Sequence, residues 1–227
     1  MISRRTHLTL AAALAASMIL AADPAARAAS DEQSTVNHAL GTLQDLEGDK
    51  EFGNAKQLLR RARAVLIAPR IFKAGFFFGG EGGQAVLMTR GAHGWSDPAF
   101  YTVASASFGL QIGAQQSEMI MFIMSDKALR ALMRDKFKIG ANAGVAVATL
   151  GSTVEGATTA NVGADIVVWA SSSGAYAGIS LDGTLVQPNG KDNANYYGRP
   201  VTVSDIVVLR RARNPAAAPL VRTLSAL

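Results

Sequence analysis

The 227-residue chain contains no cysteine and only three histidines. The first absence excludes disulfides, thiolate nucleophiles and thiolate metal sites, so stability must come from an apolar core. Of the histidines, His38 falls on the polar flank of an N-terminal helical pattern and His93 in a glycine-rich turn. Neither has a metal-ligating companion at short spacing. A serine nucleophile needs a base, and no G-x-S-x-G elbow is present. Gly79–Gly83 lacks the Lys-Ser/Thr of a phosphate loop and reads instead as a hairpin turn. Carboxylates are available at Glu81, Asp97, Glu118, Asp126 and Asp165, but their spacing favours no glycosidase-like pair. No catalytic residue, metal ligand or cofactor is expected, and the chain reads as a non-enzyme.

Long apolar runs are also scarce. The longest, Leu8 to Ala22, is short for a bilayer crossing and follows the paired Arg4 and Arg5. Ala26-Arg27-Ala28 then offers the small residues a signal peptidase accepts, so residues 1–28 read as a cleaved leader. The twin arginines fit Tat export, although a Sec leader with two positive charges looks much the same. No cysteine follows, which excludes a bacterial lipoprotein anchor. The expectation is an exported, periplasmic or envelope-associated protein with one domain over residues 29–227 and a helical tail from about 204. Losing Arg4, Arg5, Arg27 and Asp23 takes the formal net charge from +5 to +3, too little for nucleic acid without a concentrated patch.

What is present divides into helical and strand-like stretches. Val36, Ala39, Leu40, Leu43 and Leu46 share a face of a helix over 34–47, closed by Gly48. Ala55, Leu58, Leu59 and Ala62 form the stripe of a second helix over 51–63, with acids at its start and arginines at its end. Pro69 is expected to stop the apolar run Val65–Ala68. From Ala74 to Pro188 the pattern is β: 76–78, 84–89, 101–104, 108–114, 118–124, 138–148, 165–170, 176–181 and 184–187 are the expected strands. Glu81-Gly82-Gly83 and Asp182-Gly183 carry tight-turn chemistry. Glu118–Met124, apolar on both sides, is expected to be a buried central strand. Ser125 is the expected N-cap of one inserted helix bearing Leu129, Leu132 and Met133. Glycines recur at 75, 109, 140 and 178, a weak repeat of about 31 to 38 residues. Ser204 is expected to cap a helix over 206–211, with a mobile Pro- and Ala-containing tail behind it.

The expected fold class is therefore α+β: a curved, mainly antiparallel sheet or barrel-like sheet with N-terminal helices, one inserted helix and a C-terminal helical tail. Lys56, Arg60 and Arg63 recur at i, i+4 and i+7, Arg61 extends them, and Arg70 and Lys73 follow. Such a basic ridge suits an anionic headgroup, and it equally suits a solvated flank of a helix packed on the sheet. Phe76–Phe78, Phe100, Tyr101, Phe108, Met119, Met121, Phe122 and Met124 fit either a filled core or an apolar cavity. Trp95 and Phe100 fit the closure of one core end better than an interfacial anchor.

The ordered strings VLIAPRIFKAGFFFGGEGGQAVLMTR, GWSDPAFYTVASASFGLQIGAQ, MSDKALRALM, KFKIGANAGVAVA, AYAGISLDGTLVQP and NANYYG resemble the SYLF domain family over roughly residues 36–200. The resemblance implies an exported bacterial lipid-binding protein. Its eukaryotic relatives bind phosphoinositides and in some cases actin, and often carry an SH3 domain. Here a short tail follows the domain, so no SH3 partner recognition is expected. Export argues against cytosolic actin and leaves anionic phospholipid, a membrane surface or another envelope amphiphile as the partner. The same resemblance puts lipid contact in the N-terminal helical region, at Lys56, Arg60, Arg61 and Arg63. The rival expectation is a structural or scaffolding protein with no lipid ligand.

Overall fold

The computed structural model describes residues 24–75, 78–108, 115–134, 136–140, 145–150, 163–173 and 183–227. Its strands are β1 (Ala64–Gly75), β2 (Phe78–Gly91), β3 (Gly94–Trp95), β4 (Ala99–Phe108), β5 (Gln115–Ile123), β6 (Phe137–Lys138), β7 (Val147–Thr149), β8 (Ile166–Ser173) and β9 (Leu185–Pro188). They form one curled sheet in the order β6-β9-β4-β2-β1-β5-β8-β7, with β3 paired to β2. Every described pairing is antiparallel except β7 with β8. The helices are α1 (Pro24–Glu47), α2 (Phe52–Arg61), α3 (Asp126–Leu132), α4 (Gly190–Tyr197), α5 (Val203–Val207) and α6 (Ala218–Ala226). The fold is α+β, as expected.

Period-two alternation divides the central strands between two cores. Ala64, Leu66 and Ala68 of β1 join Met119, Met121, Leu132 and Ile206 on the face covered by α3 and α5. Val65 and Ile67 join Leu43, Leu59, Phe122, Trp169 and Leu220 on the face covered by α1, α2 and α6. Both faces of the sheet centre are therefore dry, which is why VLIA and MIMFI read as continuous apolar runs. Phe100, Tyr101, Met119, Met121 and Phe122 are fully buried within these cores, and Trp95 is buried in the same core as Phe100.

Pro69 does not stop a run. It lies inside β1, where the register slips by one residue against both β2 and β5. A proline is tolerated within a sheet where a bulge removes its need to donate. The bulge pushes the Arg70 carbonyl toward β2, and a Cβ on Gly83 would lie 2.0 Å from that oxygen. Gly83 is thus a close-approach glycine. Glu81-Gly82-Gly83 is correspondingly no hairpin turn: it is mid-strand, paired with Ile71–Lys73 on one side and Val103–Ser105 on the other. The β1–β2 pairing continues past it as far as Gly75 with Gly79, and Phe76 and Phe77 lie outside the described residues. Of the described glycines in this stretch, Gly83 is the one whose place the neighbouring backbone demands.

Other boundaries differ too. Helix α1 starts ten residues before the expected 34. The helix after residue 200 is capped by Thr202, in a reciprocal box with Asp205, and stops at Val207. Helix α4 was not expected, because GKDNANYY has no apolar period; it is held by buried Asp192 and Asn193 and closed by Gly198 at φ +66°. The tail is not loose: after a turn of 3-10 helix at Pro215–Ala217, α6 packs on α1 and β3 with Leu220 and Leu224 buried. Of the expected strand over 138–148, Lys138 lies in the short β6 and Val147 and Ala148 in β7, while 141–144 lie outside the described residues. The inserted helix and its Ser125 cap are as expected. The leader to residue 23, most of the expected strand 108–114, the strand 176–181 and Asp182 lie outside the described residues.

Candidate functional site

Helix α2 forms because Ala55 and Leu59 are buried at helical spacing and Ala62 continues their stripe into the sheet core. Asp49 accepts the Glu51 N–H at 2.7 Å, and Glu51 accepts from Asn54 Nδ2 at 2.9 Å, which ties down the helix start. Its C-terminal turn carries Arg60 and Arg61, both exposed, where the helix dipole favours cations. One turn earlier, Lys56 Nζ sits 5.7 Å over the Phe52 ring. Arg63 follows the helix. Its backbone N–H donates to Ile123 and its carbonyl accepts from Arg90, which pins it between β5 and β2. Its guanidinium lies 3.5 Å from Asp126 at the start of α3, a solvent-exposed pair worth little in energy.

Arg90 belongs to this site although its sequence neighbourhood gives no sign of it. Its Nη2 donates to the Leu59 carbonyl at 2.7 Å, closing the end of α2, and the group lies 4.6 Å over the Trp95 ring. Trp95 is thus a core lid whose outer face seats a cation. Lys56, Arg60, Arg61, Arg63 and Arg90 therefore gather around one end of the sheet.

Arg70 and Lys73 do not join them. They lie seven and ten residues beyond Arg63 along β1, roughly 20 to 30 Å away at strand rise. Arg70 is exposed at the bulge, near His38 of α1. Burial first, and the Arg70 charge second, hold the His38 imidazole below its ordinary range. Lys73 is paired in register with Glu81 and Gln115. The expected six-residue ridge is two separate groups.

At the level of the bulge a row of polar residues crosses the sheet beneath α1. Gln84 is paired with Arg70 and Thr102, and Glu118 lies opposite the bulge on β5. Thr35 Oγ1 donates to Gln84 Oε1 at 2.5 Å, and Gln84 Nε2 donates to Asp192 at 2.8 Å. Asn189 donates to the same carboxylate at 2.7 Å, and Asn195 donates to Glu32 at 3.1 Å. Burial, then the Glu32 charge, pushes the Asp192 carboxyl up. This layer bolts α1 and α4 to the sheet. Two further carboxylates are similarly occupied: Asp97 accepts the Asn214 N–H at 2.7 Å, and Asp165 accepts from Ser125 and from the Ala146 N–H. Among the described residues no helix is long and apolar enough to cross a membrane.

Comparison with known proteins gives a consistent family. Residues 104–227 match the family Ysc84, described as "Las17-binding protein actin regulator". The chain is 32% identical over 171 residues to "Protein YSC84" of Saccharomyces cerevisiae, covering 74% of this chain and 36% of that protein. It is 30% identical to "LAS seventeen-binding protein 3" of the same yeast, over 74% of this chain and 37% of that one. It is 28% identical to the "SH3 domain-containing YSC84-like protein 1" of Homo sapiens, over 66% of this chain and 44% of the relative. The chain thus spans well under half the length of the curated relatives it matches, one of which is named for binding LAS seventeen. With more than half of its residues inside the family match and its ordered glycine-punctuated strings, this chain belongs to the Ysc84, or SYLF, family.

Proposed function

We propose that this protein binds lipid non-enzymatically at a membrane surface of a bacterial cell envelope, holding anionic headgroups at the basic end of its sheet. The carrying observation is the grouping of Lys56, Arg60, Arg61 and Arg63 around the end of α2. Among the described residues, Arg63 alone of the four has a carboxylate within ion-pair distance. Each cation held near an anionic surface contributes about 1 kcal/mol, less with salt. The apolar stripe of α2 is already buried in the core, so the helix offers charge to a headgroup rather than an apolar face to the acyl region. The leader-like first residues support the envelope as the setting, and anionic phospholipid as the partner there.

Flotation of the protein with liposomes tests this. Binding is expected to need anionic lipid, and the change of Lys56, Arg60, Arg61 and Arg63 to Ala is expected to weaken it by roughly tenfold or more. Binding that ignores both lipid charge and this variant removes the headgroup reading. The name of the yeast relative LAS seventeen-binding protein 3 favours a second reading, a scaffold that binds protein. Native mass spectrometry of detergent-free protein separates the two: co-purifying phospholipid supports the first, a ligand-free oligomer the second.

A further inference from the structure

Three large apolar side chains stand exposed among the described residues, and two of them are adjacent: Val208 at 53% and Leu209 at 48%. They follow α5, whose Val203, Ile206 and Val207 are buried in the sheet core. The turn that displays them is fixed by its own backbone. The Val208 and Leu209 N–H groups both donate to the Ser204 carbonyl, and the Arg211 N–H donates to that of Asp205. Arg210 takes the left-handed conformation at φ +53°, the one non-glycine residue with positive φ among those described. That conformation suits glycine and is costly for arginine, so the contacts of the side chain must hold it.

Those contacts lead back to the basic end of the sheet. Arg210 Nη2 donates to the Gly94 carbonyl at 2.6 Å, and the guanidinium lies where a Cβ on Gly91 would be, 2.6 Å from that position. Thr89 Oγ1 donates to the Val207 carbonyl at 2.5 Å. Residues 89–94 therefore join the knuckle to Arg90, and through the Leu59 carbonyl to the end of α2. Around the apolar pair stand Arg210, Arg211 and Arg213, with Arg199 donating to the Arg211 carbonyl at 2.9 Å. Two carboxylates face them, and both are committed. Asp205 accepts from the Thr202 N–H and hydroxyl, and Asp97 accepts from the Asn214 backbone. No ion pair to these arginines occurs among the described residues.

We infer that Val208 and Leu209 form an insertion knuckle that enters the acyl region of an anionic bilayer while the surrounding arginines lie at phosphate level. Two aliphatic tips on a fixed turn, ringed by guanidiniums, match the layered chemistry of that surface: apolar below, anionic above. The knuckle and the end of α2 lie on opposite faces of the sheet but at the same end, so one membrane plane can meet both. This inference rests on the lipid-binding reading above and adds a second, apolar contact to it.

The absence of cysteine allows a single probe. Leu209→Cys in the full chain, labelled with an environment-sensitive fluorophore, is mixed with vesicles of phosphatidylcholine alone or with 30% phosphatidylglycerol as the probe composition. A label at exposed Asn37, on α1, serves as control. The 209 label is expected to blue-shift and brighten several-fold on anionic vesicles only, while the 37 label stays unchanged. Val208→Ser with Leu209→Ser is expected to weaken vesicle binding roughly tenfold. A 209 label that stays water-exposed on vesicles that do float the protein overturns the knuckle and leaves the headgroup reading standing. Failure to float with any vesicle overturns both. A label shielded in concentrated protein without lipid assigns the knuckle to a second copy of the chain and overturns insertion.

Discussion

Gly83 and Gly82 are neighbours of identical composition with different physical duties. A methyl group on Gly83 would meet the Arg70 carbonyl oxygen at 2.0 Å and its carbon at 3.0 Å, so the β1 bulge itself would have to move. On Gly82 the nearest atom is the Val103 carbonyl oxygen at 3.7 Å, an ordinary contact. Gly83→Ala is therefore expected to destabilise by about 2 to 3 kcal/mol through forced backbone displacement. Gly82→Ala is expected to be neutral or to stabilise by about 0.5 kcal/mol, because alanine restricts the unfolded chain more than glycine does. Midpoints of urea unfolding for the two variants check this, and equal midpoints would show that the bulge yields freely. Nothing in the string FFFGGEGGQ distinguishes these two positions. The difference arises from a proline and an arginine on the partner strand.

At the scale of elements, what was legible in the sequence was whatever an element writes into its own pattern. The stripes of α1 and α2, the Ser125 cap and the buried β5 all depend on local periodicity or local capping. Helix α4 was illegible because two of its three buried residues, Asp192 and Asn193, are polar and held by hydrogen bonds, which leaves Tyr196 alone without an apolar period. The tail misled through its prolines, which start the 3-10 turn and the first turn of α6 where an N–H is not needed. Of the site, the α2 cations were legible by spacing. Arg90 and the 208–213 turn were not, since contacts between residues distant in the chain bring them to that end: strand pairing for Arg90, and the Thr89–Val207 and Arg210–Gly94 hydrogen bonds for the turn.

The crossing of α1 over the sheet also carries a pH dependence. Burial first pushes the Glu118 carboxyl up, the Thr42 hydrogen bond pulls it partly back, and the Asp45 charge raises it again. A carboxyl raised in the folded state binds more protons folded than unfolded, so stability falls as pH rises above the ordinary carboxylate value of about 4.3. Glu118→Gln keeps the shape and can donate to Asp45, and it removes that penalty. The variant is expected to match the parent near pH 3.5 and to exceed it in urea midpoint at pH 7. A variant less stable than the parent at pH 7 would show that the ionised carboxylate is favourable there.

At the scale of the molecule, one sheet supplies alternate residues to two cores. Val65 and Ile67 belong to one face, and Leu66 and Ala68 to the other, from the same strand. A strand cannot release one set of side chains and keep the other in register, because a one-residue slip exchanges the faces. The terminal elements reinforce this, since α6, last in the chain, packs on α1, and Gln33 of α1 donates to the Ala216 carbonyl at 3.3 Å. The two cores are therefore expected to melt together as one cooperative unit. Trp95 and Trp169 both lie in the α1-side core, so their fluorescence reports that face. Methyl signals of Ile139 and Ile206 report the other. Urea transitions from the two probes are expected to coincide with each other and with far-ultraviolet circular dichroism. A separate, earlier loss of the Ile139 and Ile206 signals would mean that α3, α5 and their core form an independent unit, and that the Val208–Leu209 turn is built on a layer able to detach.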